Sequence, residues 1–356
     1  DGGRALSGSF TAVRNGTYHF ELTSGDGFQN PSPIRYRIAV VPDQSPIVQI
    51  VAPGRNTEVS LRAQFPVELE ATDDYGLVSG RLVFRLDDGT NRGTDGELPE
   101  LTSVGIEELS TGDTKANPII DLDLEPFGLA EGQRVEYYAE ALDAIGQLGP
   151  SRKYVLTIVA EDELMRILQD ELSLVRESLE QCLEWQKEAR EEVEDVVDAT
   201  LAGAKVRERD LPELRHARLT QERVGERIEE SAVRVIEIID RARENRLVWT
   251  ELPRVESIRD RLTGIADDLV PPALSGLNEV VRLAEKASQK EILASLDHQR
   301  VLERSLRDLL VDLREWGDLR SLIRKVEELV GTQRELEDKV REKVKESLGD
   351  GDDGGR

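Results

Sequence analysis

The spacing of apolar side chains changes within residues 154–172, which read YVLTIVAEDELMRILQDEL. Up to residue 158 the apolar residues alternate with period two, as they do in a half-buried β-strand. From Leu168 onwards they recur at alternating intervals of four and three residues, which is the seam of a helix that packs against other helices. The sequence therefore predicts a β region that ends near residue 160 and a helical region from residue 161.

Segments with the same period-two pattern lie upstream of this change. Gly, Pro, Asn and Asp residues separate them, as turns do in an antiparallel β-sandwich. The alternating residues are Tyr18, Phe20 and Leu22; Tyr36, Ile38 and Val40; Val67, Leu69 and Ala71; Leu82, Phe84 and Leu86; and Ile120, Leu122 and Leu124. Residues 88–118 are polar and rich in turn formers, so we predict a long insertion with one short strand there.

An internal repeat relates the two ends of the β region. Residues 18–27 match residues 137–146 at the same spacing, and each copy is typical of the last two strands, F and G, of a sandwich. The second copy closes a segment of ordinary sandwich length, whereas only seventeen residues precede the first. We therefore predict the C-terminal strands of a truncated immunoglobulin-like sandwich over residues 1–42 and a complete sandwich over residues 43–160.

The second copy resembles the fibronectin type III and immunoglobulin-like superfamily. The residues that carry the resemblance are Leu129, Gly132, Tyr137, Ala139, Ala141, Asp143, Gly146 and Ser151. The resemblance implies a sandwich in which a tyrosine near the start of strand F donates a hydrogen bond back to its own corner. It implies no particular activity, because this fold serves many unrelated functions.

Two heptad seams dominate the first part of the helical region, which is predicted to span residues 161–348. The first consists of Leu168, Leu172, Val175, Leu179, Cys182, Gln186, Ala189, Val193 and Val196, and the second of Ala217, Gln221, Val224, Ile228, Ser231, Val235, Ile238 and Ala242. Gly203 and the restart at Asp210-Leu211-Pro212 separate them, so we predict an αα-hairpin. Leu172 is predicted to be buried, and Glu171 to lie on a solvated face.

Further helices are predicted after the hairpin. A third runs from about Pro253 to Pro271-Pro272, and a short fourth ends near Ala287. A long fifth helix is interrupted by Gly317, and a sixth follows with the seam Leu322, Val326, Leu329, Gln333, Leu336 and Val340. Residues 349–356 are rich in Gly and Asp, and we predict a disordered acidic tail there.

Glutamines occupy four seam positions, at Gln186, Gln221, Gln299 and Gln333. Polar residues in a seam fix the register of packed helices at a cost in stability, or they mark a seam that is partly exposed. Both an intramolecular bundle and an intermolecular coiled coil fit this pattern, and the bundle is favoured. The expected partners are therefore proteins that bind through the helical seams, including a second copy of this chain.

The composition and the chemistry-bearing residues argue against several functions. A net charge of −25 repels phosphate backbones, so nucleic acid is not an expected partner. The histidines His19, His216 and His298 lie far apart in the sequence, and the only cysteine, Cys182, lies in a seam. No phosphate-binding loop or catalytic motif occurs, so we expect no enzyme activity.

Four aspartates are candidate metal ligands. Asp43 enters the predicted complete sandwich, Asp73 and Asp74 follow its strand B, and Asp143 follows strand F. In an immunoglobulin-like topology these positions lie at the same end of the domain. Calcium takes six to eight oxygen ligands from such loops, although Asp also favours turns for its own backbone hydrogen bonds. We therefore expect no cofactor other than a calcium ion at this set.

The order of sandwich modules and long helices also resembles a group of large bacterial proteins that are membrane-anchored in the cell envelope. These proteins carry immunoglobulin-like or fibronectin type III-like modules followed by long coiled-coil helices. The resemblance rests on Pro42-Asp43, Pro46-Ile47-Val48, residues 71–77 (ATDDYGL), residues 313–316 (LREW) and residues 329–333 (LVGTQ). It implies a location on the periplasmic or extracellular side of the envelope. It also implies a membrane anchor outside this chain.

Two functions follow as hypotheses. The first is a non-enzymatic structural and protein-interaction module of the bacterial cell envelope, with sandwiches as the spacer and helices as the assembly surface. The second is a calcium-dependent adhesin or a carbohydrate-binding protein that uses the sandwich loops. Exposed aromatic side chains clustered on one face would favour sugar binding.

Overall fold

The structure is a computed structural model in which antiparallel β-sheets are followed by α-helices, as the change of period near residue 160 predicts. It describes residues 7–87, 100–110, 112–199, 206–287 and 289–349. Contacts divide the chain into two units. The β unit comprises residues 1–58 and 65–158, and the helical unit comprises residues 59–64 and 159–356.

The described residues contain twelve strands. They are β1 (Gly16–Tyr18), β2 (Tyr36–Ile38), β3 (Ile47–Ala52), β4 (Thr57–Val59), β5 (Gln64–Thr72), β6 (Leu77–Asp87), β7 (Glu100–Gly105), β8 (Lys115–Ala116), β9 (Ile119–Asp123), β10 (Arg134–Asp143), β11 (Leu148–Pro150) and β12 (Tyr154–Ile158). The first two pair with each other as a two-stranded sheet. A larger sheet has the order β4-β12-β10-β6-β7 with β11 beside β10, and another has the order β3-β5-β8 with β9 beside β5.

Alternation of apolar and polar residues decides which face of each strand is buried. On β5 the buried side chains are Phe65, Val67, Leu69 and Ala71, and the residues between them are partly or fully exposed. On β10 the side chain of Tyr137 is fully buried, yet its hydroxyl has no hydrogen-bond partner among the described residues. The corner hydrogen bond that the superfamily resemblance implies is therefore not formed there.

The polar insertion contains more regular structure than the sequence predicts. Its described part forms two strands, β7 and β8, and a 3₁₀ turn at Glu107–Leu109. Residues 88–99 lie outside the described residues. Leu109 is fully buried against Gly80 of β6, where a Cβ would overlap the leucine side chain. The prediction of one strand was wrong because β7 and β8 carry little apolar alternation and so give no clear periodic signal.

Five α-helices follow the strands. They are α1 (Glu161–Ala199), α2 (Leu211–Glu244), α3 (Leu252–Gly264), α4 (Val270–Leu283) and α5 (Gln289–Gly349). A π-helical turn at Ile265–Leu269 joins α3 to α4. No strand follows β12 within the described residues, as the change of period predicts.

The two predicted heptad seams are buried along their whole length. Each of their members, from Leu168 to Val196 on α1 and from Ala217 to Ala242 on α2, is at most 4% exposed. The apolar row Leu302, Leu306, Leu309 and Leu313 of α5 belongs to the same hydrophobic core. The 3.6-residue period places these side chains on one face of each helix, so their burial stabilises the bundle.

A short segment that precedes the helices in sequence also belongs to the helical unit. The Ser60 amide donates a hydrogen bond to Asn245 Oδ1 at 2.7 Å, and Ser60 Oγ donates to the Asn245 carbonyl at 2.9 Å. Both residues are buried, so these bonds satisfy polar groups near the end of α2 that would otherwise lose their hydration.

Two predicted helix boundaries were wrong. Helix α5 continues through Gly317 to Gly349, because one interior glycine costs only about 1 kcal/mol and strong helix formers flank it. Pro271 and Pro272 lie in the first turn of α4, where a missing N–H donor is tolerated. The predicted acidic tail from residue 350 lies outside the described residues.

Glu171 does not lie on a solvated face. Its Oε1 accepts a hydrogen bond from Arg241 Nη1 at 2.7 Å, and the two side chains are only 19% and 13% exposed. The sequence prediction was wrong because α2 covers this edge of α1. An exposed neighbour such as Asp170 is therefore the better control for substitutions in the seam.

Candidate metal centre and helical interaction surface

The structure brings three of the four candidate aspartates together. Asp43 precedes β3, Asp73 follows β5, and Asp143 is the last residue of β10. One carboxylate oxygen from each of the three lies within 4.8 Å of the others. All of these residues belong to the β unit, so the group forms within one compact body.

Asp143 is the most buried member of the group, at 2% exposed. Its Oδ1 accepts hydrogen bonds from the Ile145 amide at 2.9 Å and the Gln147 amide at 2.8 Å. The pairing of β10 with β6 shifts register between Leu142 and Asp143, and such irregularities redirect a side chain at the end of a strand. The β10–β11 turn therefore holds Asp143 by one oxygen only.

Asp73 is held in the same way by its own turn. Its Oδ2 accepts hydrogen bonds from the Tyr75 amide at 3.0 Å and the Gly76 amide at 2.6 Å. Gly76 has a φ of 123°, and a Cβ there would overlap the Gly112 carbonyl oxygen. Only glycine fits this turn, because other residues are strained at such a φ and lack the space.

Asp43 lies in the connection between β2 and β3, which packs against the β10–β11 hairpin. Gln147 Nε2 donates a hydrogen bond to the Asp43 carbonyl at 3.3 Å. Pro46 lies so close to Gly149 of β11 that a Cβ on the glycine would overlap the Pro46 carbonyl oxygen. These contacts place the Asp43 carboxylate beside the two loop aspartates.

Asp74 lies at the edge of the group and is exposed. Its Oδ1 accepts a hydrogen bond from the Gln44 amide at 3.3 Å, and its side chain also forms a hydrogen bond with the Asp43 carboxyl. It is not one of the three residues whose oxygens lie within 4.8 Å of one another.

The second oxygen of each converging aspartate is unsatisfied. Asp43 Oδ1, Asp73 Oδ1 and Asp143 Oδ2 are inaccessible to water and have no hydrogen-bond partner in the described part of the chain. None of the four aspartates pairs with a basic side chain there. The pKa of Asp43 is raised above 3.8 by desolvation, then by its hydrogen bond to Asp74 and by repulsion from its acidic neighbours.

Lowering the pH in cation-free buffer is expected to stabilise the β unit through Asp43. Because its folded-state pKa is raised, the folded state gains the proton first. Stability therefore rises as the pH falls through that pKa, and the gain is complete below 3.8. Calorimetry from neutral to acidic pH measures this, and Asp43→Asn should reduce the slope. An unchanged slope in the variant would contradict the assignment.

A second polar group, on the helices, was missed by the sequence reasoning. Glu188 and Glu192 of α1 and His216 of α2 offer ligand atoms within 4.8 Å of one another. His216 Nδ1 lies 2.7 Å from Glu192 Oε1, and desolvation is the main cause of a raised Glu192 pKa. Glu188 and His216 are exposed. The four-residue spacing of Glu188 and Glu192 predicts that they share one face of α1. No local pattern shows that His216 of α2 lies beside them.

Cys182 is fully buried in the α1 seam, as its spacing predicts. Burial raises the pKa of its thiol to about 12, so the thiolate that would act as a nucleophile is not formed near neutral pH. Of the histidines other than His216, His19 lies beside Glu21 in the β unit, and His298 is exposed on α5.

Two of the seam glutamines bind each other inside the helical unit. Gln221 Nε2 of α2 donates a hydrogen bond to Gln186 Oε1 of α1 at 2.9 Å, and both residues are fully buried. Gln299 of α5 is also fully buried, whereas Gln333 is exposed. The α1–α2 seam is thus packed within the chain, although Gln186 Nε2 and Gln221 Oε1 have no hydrogen-bond partner among the described residues. The seam in the second half of α5 differs from it.

The heptad row in the second half of α5 is exposed at the positions whose side chains the structure describes, Gln333, Leu336 and Val340. Among the described side chains of this helix, Leu313 is the last buried one, and Leu336 and Val340 are 58% and 60% exposed. They follow Gln333 at intervals of three and four residues, in the register that the sequence predicts. Apolar side chains in a seam normally face another helix, so this row is a candidate interaction surface.

A buried ion pair joins α1 to α5 and had no local signal in the sequence. Arg190 Nε donates to Glu303 Oε2 at 2.6 Å, and the Glu303 side chain is 8% exposed. Glu194 and Arg307 extend the network on the same two helices. The partners are far apart in sequence, so only the packing of the helices brings them together.

Similarity to solved structures is weak. Fibronectin type III-like modules of CbhA from Clostridium thermocellum are 17% identical, with 42% of this chain and 66% of that chain covered and a TM-score of 0.21. A myokine structure is 11% identical (33% and 97% covered, TM-score 0.18), and astrotactin-2, a vertebrate membrane protein, is 13% identical (70% and 41%, TM-score 0.20). This chain thus spans just under two thirds of the first structure, and at these TM-scores the likenesses carry no argument about fold or function.

Sequence comparison identifies the family. No curated protein matches the chain significantly. Across the described residues, no helix has the length and apolarity needed to cross a lipid bilayer. Residues 12–207, more than half of the chain, match the model of a domain of unknown function, DUF4175. The matched range includes the aspartate group and the whole of α1, and the chain therefore belongs to the DUF4175 family.

Proposed function

We propose that this chain is a non-enzymatic structural and protein-interaction module of the bacterial cell envelope. The β unit, as an immunoglobulin-like sandwich, serves as a spacer, and the helical unit provides the assembly surface. The observation that carries the proposal is the exposed heptad row on α5, around Leu336 and Val340. A helix of 61 residues with such a row in its second half resembles one strand of a coiled coil, in which a second helix would cover the row.

The length of the second half of α5 supports this role. From Leu313 to Gly349, α5 extends about 50 Å at 1.5 Å per residue. An isolated helix is marginal in water, because most helical stability in proteins comes from packing of an apolar face. A partner helix on this segment would supply that packing. We take the partner to be the same segment of a second copy of the chain.

The charge of the segment is compatible with self-association. The whole chain has a net charge of −25, which opposes the approach of two copies. Residues 315–349, in contrast, carry eight Lys and Arg residues and nine Asp and Glu residues. Two such helices can therefore pack without a large like-charge penalty, and their mixed charges allow ion pairs across the seam.

The oligomeric state tests the proposal. We expect the chain to sediment as a dimer at micromolar concentration, and the double variant Leu336→Asp/Val340→Asp to be a monomer, because two carboxylates would enter each side of the seam. Arg334→Asp, which introduces the same residue at the outward-facing heptad position after Gln333, should remain a dimer. A monomeric wild-type chain would contradict self-association through α5.

The envelope location rests only on the resemblance to large bacterial membrane-anchored proteins. Residues Pro42-Asp43 and Pro46-Ile47-Val48, which carry part of that resemblance, form the connection into β3. The membrane anchor that it implies would lie outside this chain. Fractionation of cells that express the full-length protein, followed by crosslinking and mass spectrometry, tests the location. Recovery only in the cytosolic fraction would contradict it.

Carbohydrate binding is a second candidate, favoured by one observation. The rings of Phe10, Tyr18, Phe20 and Tyr36 form a contiguous group on the β1–β2 sheet, with Tyr18 stacked on Tyr36 at 5.1 Å. Phe10 and Phe20 are 66% and 61% exposed, and exposed aromatic rings can stack on sugar rings. Co-sedimentation with insoluble peptidoglycan, chitin and cellulose tests this role. No binding, or equal binding by Phe20→Ala, would exclude this aromatic group as the binding site.

A further inference from the structure

We propose that Asp43, Asp73 and Asp143 bind one calcium ion, with Asp74 at the edge of the site. The inference goes beyond the proposed scaffold role and does not depend on it. It rests on the orientation of three carboxylates from three separate segments of the β unit. Each has one buried oxygen without a hydrogen-bond partner in the described structure. In Asp73 and Asp143 the other oxygen accepts two backbone amides.

The buried Asp143 is the strongest evidence. At 2% exposed it is a charged side chain almost removed from water, and its Oδ2 accepts no hydrogen bond from any described residue. Leaving a buried carboxylate oxygen unpaired is costly unless a cation or donor satisfies it. Turn formation explains only the other oxygen, Oδ1, which accepts the Ile145 and Gln147 amides.

The three carboxylates converge within the reach of one ion. Their ligand oxygens lie within 4.8 Å of one another. Two oxygens on opposite sides of a calcium ion are separated by about 4.6–5.2 Å, given Ca–O distances of about 2.3–2.6 Å. An ion can therefore contact all three carboxylates without displacement of the loops that hold them.

The donor set identifies calcium as the ion. All candidate ligands are carboxylate oxygens, which hard cations prefer, and neither histidine nor cysteine belongs to the group. Magnesium requires near-ideal octahedral geometry at about 2.0–2.1 Å, whereas calcium accepts irregular sets of six to eight oxygens. The loops fix the spacing of the carboxylate oxygens, and calcium, which is larger than magnesium and accepts less regular geometry, suits such a site better.

Calcium at this site would secure the connection between β2 and β3. Asp43 lies in that connection, and Asp73 and Asp143 lie on the loops after β5 and β10. Without a cation the three carboxylates, whose oxygens lie within 4.8 Å of one another, repel one another. With a cation they would hold the connection against the β10–β11 hairpin.

Titration of the purified full-length chain tests the site directly. Isothermal calorimetry with calcium chloride in chelator-treated buffer should show one ion per chain, with a Kd of about 10⁻⁵ to 10⁻³ M. Magnesium should bind at least about tenfold more weakly. No heat with calcium up to ten millimolar would overturn the proposal, and equal affinity for magnesium would overturn the choice of ion.

Two isosteric variants and one control assign the residues. Asp143→Asn replaces the unpaired oxygen with an amide nitrogen while the retained oxygen can still accept the turn amides, so folding should persist. This variant and Asp73→Asn should lose at least about tenfold in calcium affinity. Asp26→Asn removes a charge from an exposed position in the same unit and should bind normally. Wild-type affinity in Asp143→Asn would overturn the assignment.

Thermal unfolding distinguishes this site from effects on the helices. All three tryptophans, Trp185, Trp249 and Trp316, lie in the helical unit, so their fluorescence follows that unit alone. Millimolar calcium should raise the calorimetric melting temperature of the β unit by several degrees and leave the tryptophan transition unchanged. A shift confined to the tryptophan transition would contradict a site in the β unit.

Discussion

Replacing Leu172 with aspartate is expected to unfold the helical unit, or to reduce its stability by about 5 kcal/mol or more. Leu172 is fully buried in the α1 seam, within the core shared by α1, α2 and α5. Loss of a buried leucine side chain costs about 2–5 kcal/mol. Burial of an unpaired carboxylate adds several kcal/mol. The sum approaches the whole stability of a typical domain, about 5–15 kcal/mol.

Tryptophan fluorescence during urea unfolding measures this effect, because Trp185 and Trp249 pack against the same core. The matched control is Asp170→Ala, which trims an exposed side chain two residues away and should change stability by less than about 0.5 kcal/mol. Equal, small shifts for the two variants would show that the seam is not buried. Glu171→Ala is an unsuitable control, because it would break the ion pair with Arg241.

Replacing Gly149 with alanine is expected to destabilise the β unit by about 1–3 kcal/mol or more. The added Cβ would overlap the carbonyl oxygen of Pro46, and a backbone atom cannot rotate away as the end of a side chain can. The connection that contains Asp43 must therefore move away from β11. This movement would also break the hydrogen bond that Gln147 Nε2 donates to the Asp43 carbonyl at 3.3 Å.

Calorimetry and hydrogen exchange measure the consequence for this connection. The transition of the β unit should fall in temperature, and the amides of Gln44, Ser45, Ile47 and Val48 should exchange faster, while the tryptophan transition is unchanged. Gly105→Ala is the control, because a Cβ on that β7 residue meets no atom within 4 Å. Equal effects of the two variants would show that the close approach of Pro46 to Gly149 does not limit stability.

Much of the helical unit could be predicted from the spacing of apolar residues alone. The seam residues of α1 and α2 are buried because a 3.6-residue period places them on one face, whatever that face later contacts. The same reasoning failed at Gly317, where a single residue type was given more weight than its small cost in a long helix. It also failed at Glu171, because periodicity does not show how far a neighbouring helix covers the edge of the seam.

In the β unit, too, some strands could be predicted from the sequence and others could not. Alternation identified β5, β6, β9 and β12, since a strand turns successive side chains to opposite faces. The position of the strand at residues 100–105 was not predicted, because it pairs with β6 through its backbone and carries little apolar alternation. The buried Leu109 that anchors the following turn is a single residue, and a single residue has no period.

The sequence by itself determined where the β region gives way to helices, which faces of α1 and α2 are buried and which aspartates lie in turns, because these properties follow from local spacing and residue type. Only the tertiary structure decided the contacts that join distant segments. It brought Asp43, Asp73 and Asp143 within 4.8 Å, left one oxygen of each unpaired, and paired Arg190 with Glu303 across two helices. Such contacts depend on bulges, glycine turns and helix packing, whose combined geometry no local pattern encodes.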